Sequence, residues 1–183
     1  MGEPEQAGET GDWELMQRVA NEDADALRQL VERHQGLLLN FFLRSGAQSA
    51  AEDLVQETFI RLYRYRHRVE QRARFTTFLH TLARHAWVDH LRRSGRTARL
   101  HEAWQVEQPE ADTSSAARPG QRMDAARALH LLPEEMRAVV TLLFYQGLSQ
   151  GEAAEVLDIP VGTVKSRLFN ALQRLRGVLD APG

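Results

Sequence analysis

Two blocks of helical periodicity separated by one long interruption limit what this chain can fold into. In residues 12–93, and again in 123–179, apolar residues recur every three or four positions, the spacing of a stripe along one side of a helix. No strand pattern appears in the first block. Between the blocks, SGRTARLHEAWQVEQPEADTSSAARPGQR (94–122) breaks the period and gathers Ser, Thr, Gly, Pro and acids. So long an irregular stretch does not belong inside one compact domain. The expected fold is therefore all-α: two small helical domains, 12–93 and 123–179, joined by a flexible linker over 94–122. Residues 1–11, MGEPEQAGETG, lack periodic apolar residues and are expected to be disordered. Trp104 is the one large aromatic of the linker and is expected to share its disorder.

Local signals divide each block into helices. In the first, Asp12 is expected to cap a short helix carrying Trp13, Leu15, Met16 and Val19. Caps within Asn21–Asp25 open a longer helix with Leu27, Leu30, Val31, His34, Leu37, Leu38 and Phe41 on its inner side, closed by Ser45-Gly46. Ser49-Ala50-Ala51-Glu52 reads as a capping box before a helix through Leu54, Val55, Phe59, Leu62 and Tyr63. A fourth helix runs from about Thr76 to Arg93 with Phe78, Leu79, Leu82, Ala86 and Leu91 inward.

In the second block the expected helices are Met123–Leu132, Pro133 to about Tyr145, Ser149–Leu157, and Gly162 to about Leu179. Pro133 suits a first turn, and Glu134 and Glu135 sit where the helix dipole favours acids. Ser149-Gln150-Gly151-Glu152 is a second capping box. The short helix it begins has Ala153, Ala154 and Leu157 inside and stops at Asp158-Ile159-Pro160. The next helix repeats Val164, Leu168 and Leu172. That is a helix-turn-helix, in which alanine permits close crossing and Asp158 takes the left-handed turn position commoner for glycine.

Composition excludes several chemistries. The chain has no cysteine, so it can hold neither a disulfide nor a thiolate metal site, and it has no thiol nucleophile. His80, His85, Asp89 and His90 are the candidates for a metal-dependent enzyme, but only His85 and Asp89 share a helix face. No third ligand has a convincing spacing and no HExxH occurs. No cofactor, metal or catalytic constellation is expected. No apolar run approaches the ~20 residues of a membrane span, and acids follow Met1, so a cytoplasmic protein without membrane insertion is expected.

Net charge is only −2, yet charge is segregated. From Arg61 to Arg99 eleven arginines face Glu70 and Asp89, a balance of +9; residues 1–25 carry eight acids against Arg18, a balance of −7. A basic portion of a near-neutral chain points to phosphates. Aromatics interleave that run: Tyr63, Tyr65, Phe75, Phe78 and Trp87 among Arg61, Arg64, Arg66, Arg68, Arg72, Arg74 and Arg84. Cations that track a backbone and rings that stack on unpaired bases suit single strands, although some of these rings must be core. In the second block, a helix-turn-helix offers the start of its second helix to the major groove. There Thr163 suits a phosphate, Lys165 and Arg167 a phosphate or guanine edge, Ser166 either, and Asn170 an adenine edge. Phe169 could touch a thymine methyl or belong to the core.

These segments resemble a known family. DLVQETFIRLYRYRHRV (53–69), FTTFLHTLARHAWVDHLRR (75–93) and LPEEMRAVVTLLFYQGLSQGEAAEVLDIPVGTVKSRLFNALQRLR (132–176) are similar to regions two and four of bacterial RNA polymerase sigma factors of the extracytoplasmic-function type. The resemblance implies that Asp53, Gln56 and Glu57 face the clamp helices of the largest subunit of core RNA polymerase. It assigns Arg72, Arg74, Phe75, Thr76, Thr77 and His85 to capture of an unstacked base in the minus-ten element, and Arg92 and Arg93 to the upstream duplex edge. Lys165, Ser166, Arg167, Phe169 and Asn170 match positions that read the minus-thirty-five element of promoter DNA. It implies an anti-sigma factor as a further partner.

The chain departs from the family where Leu82-Ala83-Arg84-His85 has His in place of Asn, which bears on minus-ten preference, and where Thr77-Phe78 replaces Thr-Trp. The competing reading, a helix-turn-helix regulator that binds duplex DNA without joining polymerase, uses residues 149–176. It leaves DLVQETF and the arginine-aromatic run without a role.

Overall fold

The computed structural model describes residues 7–68, 71–95 and 125–179. The expected linker beyond Gly95, Trp104 and residues 1–6 lie outside them. Eight α-helices and no strand occur among the described residues: α1 (Ala7–Ala20), α2 (Ala24–Ser45), α3 (Ala51–Tyr65), α4 (Phe75–Arg93), α5 (Ala125–His130), α6 (Glu134–Val140), α7 (Gln150–Leu157) and α8 (Val161–Leu179). A 3₁₀ turn over Gln48–Ala50 precedes α3, and a π-helical turn over Thr141–Tyr145 extends α6.

Most boundaries follow their local chemistry. The Asp23 carboxylate caps α2 by accepting from the amides of Asp25 and Ala26, and Gly46, at φ 98°, ends that helix in the left-handed conformation glycine tolerates. Two starts differ from expectation. α1 begins at Ala7, inside the stretch expected to be disordered, and Asp12 is a mid-helix core residue instead of a cap. Its carboxylate faces α2, where it accepts from His34 Nε2 and Arg33, each at 2.8 Å. Burial alone would raise the Asp12 pKa, but the hydrogen bonds from His34 and Arg33 outweigh it and hold the group below the ordinary value. The Ser49 capping box is also absent: Ser49 lies in the 3₁₀ turn, and Ala50 precedes α3 without any side-chain cap.

Packing joins the two halves. One buried cluster runs from Trp13, Leu30, Phe41, Leu62 and Phe75 through Leu79 and Ala83 to Leu142, Leu148, Ala153 and Val164. A smaller cluster of Leu129, Leu132, Val140 and Ala171 lies within the second half. α4 stands at the centre, with α2 and α3 on one flank and α7 on the other.

His80, fully buried on α4, marks the seam. Its Nδ1 lies 2.7 Å from the Thr76 carbonyl and its Nε2 3.1 Å from the Gln146 amide. Burial lowers its pKa, against the hydrogen bond it donates to the Thr76 carbonyl, so the ring is neutral at neutral pH. A neutral ring donating from Nδ1 accepts at Nε2. The pairing is therefore complete when Gln146 turns its NH₂ toward the ring, which also supplies a partner to the otherwise unpaired Gln146 Nε2.

A folded pKa below the unfolded one gives stability that is present above about pH 6.5 and lost as pH falls through the folded value. Thermal unfolding between about pH 7.5 and 5.5 should accordingly show a steeper fall for the native chain than for His80→Gln. Parallel pH profiles of the two proteins would contradict this account of the seam.

Candidate nucleic-acid interface

The helix-turn-helix forms as its sequence dictates. Ser149 accepts from the Glu152 amide at 3.2 Å and the Glu152 carboxylate accepts from the Ser149 amide at 2.7 Å, closing the capping box that starts α7. At its other end Asp158 adopts φ 53° and ψ 50° while its amide bonds the carbonyls of Ala154 and Glu155. Ala153 and Ala154 are buried where α7 crosses α8, opposite the fully buried Val164. The inner stripe of α8 is Val164, Leu168, Ala171 and Leu175. Leu172, expected on that stripe, is 47% exposed, because the small Ala171 takes the inward position.

The rest of the first turns of α8 faces outward. Lys165, Ser166, Phe169 and Asn170 are exposed, and Thr163 is half-buried. Phe169, left between core and groove by its sequence, is 61% exposed. Ser166 donates to the Thr163 carbonyl at 3.1 Å, which leaves its oxygen available as an acceptor. Arg167 stands apart from this row, ion-paired with Glu135 at the start of α6. Exposed cationic, hydroxyl and amide groups at the positive end of a helix dipole can engage both phosphates and base edges.

The second candidate region is the start of α4. Residues 71–74 lead into it, and Trp13 Nε1 donates to the Ala73 carbonyl at 3.2 Å, tying that lead to α1. Arg72 and Arg74 are exposed, with Arg74 3.5 Å from Glu152; Thr76 is half-buried. Phe75 and Thr77 are fully buried. The Phe75 ring packs edge-on to Trp13 at 5.3 Å, and the Thr77 hydroxyl donates to Glu152 at 3.1 Å. His85, Arg92 and Arg93 are exposed further along the helix. Several other members of the arginine-aromatic run hold the fold: Arg61 bridges Glu57 and Asp89 at 2.8 and 2.9 Å, Arg84 pairs with Glu134, and Trp87 is buried beside His90. Tyr65 is 48% exposed. No group of three or more His, Asp or Glu that could hold a metal ion occurs among the described residues.

On α3, Asp53 and Gln56 are exposed, whereas Glu57 is half-buried and committed to Arg61. Beside Gln56 lies an apolar groove of about 600 Å³ between α2 and α3, floored by Val31, Leu39, Val55 and Phe59. Sequence periodicity did not single out this groove. Its signal was that Val31 and Val55 sit one position beside the deepest residues of their stripes, Leu30 and Leu54.

Comparison with known proteins agrees with this layout. Residues 30–97 match Sigma-70 region 2 and residues 122–175 match Sigma-70, region 4. The RNA polymerase sigma-H factor of Pseudomonas aeruginosa is 32% identical, with 92% of this chain and 94% of that protein covered. The ECF RNA polymerase sigma-E factor of Haemophilus influenzae is 29% identical over 92% and 95%. Among solved structures, CnrH in complex with the cytosolic domain of CnrY is 28% identical, covers 94% of this chain and 99% of its own, and superposes with a TM-score of 0.68. The sigma factor RpoE in complex with the anti-sigma factor NepR from Bartonella quintana is 25% identical, covers 84% and 96%, and gives 0.64. The chain belongs to the sigma-70 family of RNA polymerase sigma factors, in its extracytoplasmic-function group. It is thus a DNA-binding protein that directs transcription initiation.

The turn geometry makes a prediction about the reading head. Asp158→Val, a β-branched residue forced into the left-handed region, should destabilise the protein by about 1–2 kcal/mol in urea unfolding, while Asp158→Gly should stay within about 0.5 kcal/mol of the native chain. Equal stabilities for the two variants would mean that the turn does not hold the left-handed conformation.

Proposed function

We propose that this chain recognises promoters by a division of labour between its domains, with residues 12–93 joining polymerase and the strand-opening site and residues 123–179 reading duplex DNA. The linker over 94–122 lets each domain raise the effective concentration of the other on one promoter. The observation that carries this reading is the coexistence, in one chain and in the order of the matched regions, of three features. These are an exposed acid-amide face on α3, the exposed arginines Arg72 and Arg74 before the first turn of α4, and the exposed donor row of α8.

Asp53, Gln56 and Glu57 then engage the clamp helices of the largest polymerase subunit. Asp53 and Gln56 act directly, and Glu57 fixes Arg61 behind them. The groove beside Gln56 offers apolar area for the same contact. Arg72, Arg74, Thr76 and His85 form the capture site for an unstacked base of the non-template strand, with the fully buried Phe75 and Thr77 holding the start of α4 behind them and Arg92 and Arg93 on phosphates upstream. Unstacking a base costs a few kcal/mol, which interactions with the displaced base offset, so binding supplies the work of opening and the chain needs no catalysis of its own. Thr163, Lys165, Ser166, Arg167, Phe169 and Asn170 read the minus-thirty-five element, Arg167 after leaving Glu135. CnrH was solved with the cytosolic domain of CnrY and RpoE with the anti-sigma factor NepR, and the likeness to both supports an anti-sigma protein as a partner of this chain. A regulator that never joins polymerase would leave α3 and its groove without a purpose.

Two measurements test the assignment of surfaces. Lys165→Ala and Asn170→Ala should each weaken binding of a promoter duplex by about 1–3 kcal/mol for every base-edge hydrogen bond removed, and deleting a phosphate-binding cation should reduce the salt slope by about one. Asp53→Ala combined with Gln56→Ala should reduce co-elution with core polymerase and leave duplex binding intact. Duplex affinity unchanged in the α8 variants, or polymerase binding unchanged in the α3 variant, would remove the corresponding surface from the mechanism.

A further inference from the structure

We infer a further phosphate-binding site at the end of α3, in which Arg64, His67 and Arg68 hold the backbone of the DNA duplex upstream of the opened strands. The inference deepens the reading given above, because it rests on the placement of Arg92 and Arg93 at that duplex edge.

The last turns of α3 and the turn that follows border an open cavity of about 640 Å³, lined by Glu57, Arg61, Arg64, Tyr65, His67 and Arg68. Arg61 and Arg64 share one side of the helix, and Arg68 continues the row through a turn in which its amide donates to the Tyr65 carbonyl at 2.8 Å. Charge balance changes along that row. Glu57 and Asp89 neutralise Arg61, at 2.8 and 2.9 Å. Beyond Arg61 the compensation ends: Arg64, His67 and Arg68 are exposed, and among the described residues no carboxylate pairs with any of them.

Like charges four positions apart repel, whereas a cation at a helix C-terminus is favoured by the dipole. Arg66 takes the favourable place, donating to the Tyr63 carbonyl at 3.0 Å with its guanidinium over the Tyr63 ring at 3.9 Å. Arg64 and Arg68 make no such contact among the described residues. Two uncompensated guanidinium forks and an imidazole around one cavity are completed by phosphate oxygens, which match the fork geometry. Tyr65, 48% exposed at the rim, adds a hydroxyl of the kind that joins cations on phosphates.

Position decides whose phosphates these are. The bridge from Arg61 to Asp89 ties the cavity to the last third of α4, and Asp89 also lies 3.9 Å from Arg92. Counted from Phe75, Asp89 stands about 21 Å along the helix at ~1.5 Å per residue. The cavity therefore borders the arginines placed on the upstream duplex and lies far from the strand-capture end. It carries their phosphate track from α4 onto α3. Its sign also separates it from the polymerase face, since Asp53 and Gln56 on the same helix offer acid and amide.

The test uses holoenzyme assembled from core polymerase and the full chain. The probes are cut from a template on which that holoenzyme initiates: a fork of upstream duplex with a single-stranded non-template extension, and the single strand alone. Arg64→Gln with Arg68→Gln is the site variant. Arg18→Gln with Arg28→Gln, exposed arginines already paired with Asp23 and Asp25, is the control of equal charge. In addition His67→Cys supplies the one thiol of the chain, which is labelled before assembly with an iron chelate that cuts nearby DNA.

The site variant should lower the salt slope of fork binding by about two relative to the control, at roughly 0.9 per duplex phosphate, and leave the slope on the single strand unchanged. The chelate should cut within the upstream duplex. Equal fork slopes in variant and control overturn the inference, as do cuts confined to the single-stranded extension. A loss that appears equally on the single strand would place these residues in strand capture, and loss of co-elution with core polymerase would give them to the polymerase; either result overturns the site. If the native holoenzyme initiates on no template, the wider reading of the chain fails first and takes the inference with it.

Discussion

Between Phe75 and Arg84, α4 has no exposed residue. Phe75, Leu79, His80 and Ala83 are fully buried, with α2 and α3 packed on one flank and α7 on the other. A helix apolar on several sides must find cover on several sides, and each enclosed aliphatic or aromatic side chain contributes on the order of 1.5–3 kcal/mol relative to exposure. The first half can cover only part of it. α7 packs against the remainder, and its small buried residues Ala153 and Ala154 belong to the same core cluster as Phe75, Leu79 and Ala83. Residues that shape the helix-turn-helix therefore also belong to the core that encloses α4.

Charge is arranged around that constraint. The eleven arginines between Arg61 and Arg99 are not one uniform surface. Arg61 links α3 to α4 through Glu57 and Asp89, and Arg84 links α4 to α6 through Glu134. Arg72, Arg74, Arg92 and Arg93 are exposed. Partly buried arginines hold geometry through paired carboxylates, whereas exposed ones supply long-range attraction for a phosphate chain and are screened by salt. Glu152 shows how closely the two uses lie: one carboxylate closes a helix cap, receives a threonine hydroxyl and faces an arginine assigned to DNA.

The sequence made much of this legible. Helical periodicity, the caps at Asp23 and Ser149, the left-handed Asp158 and the alanines of α7 each have a local physical cause, and each stands where its chemistry requires. Where local logic failed, tertiary packing had replaced it. Asp12 had the composition of a cap but is drawn into the core by His34 and Arg33, and Ser49 had the spacing of a capping box but lies in a 3₁₀ turn. The donor row of α8 could be read because exposed polar groups stand out against an apolar stripe. Burial of Phe75, Thr77 and Trp87 could not be, because a single-stripe reading of α4 has no place for a second packing face. Glu134 and Glu152, legible only as dipole and cap residues, gained their cross-seam roles from positions distant in sequence.

Promoter-directed initiation is the point at which polymerase binding, duplex reading and strand capture must all succeed in one complex. Its most direct measurement is run-off transcription by purified core polymerase, with and without the full chain, on a library of candidate promoter templates. The account predicts RNA from discrete start points only when the chain is present, with the responsive templates sharing two separated sequence elements. Initiation at the same sites without the chain, or no defined start on any template with it, would contradict the account.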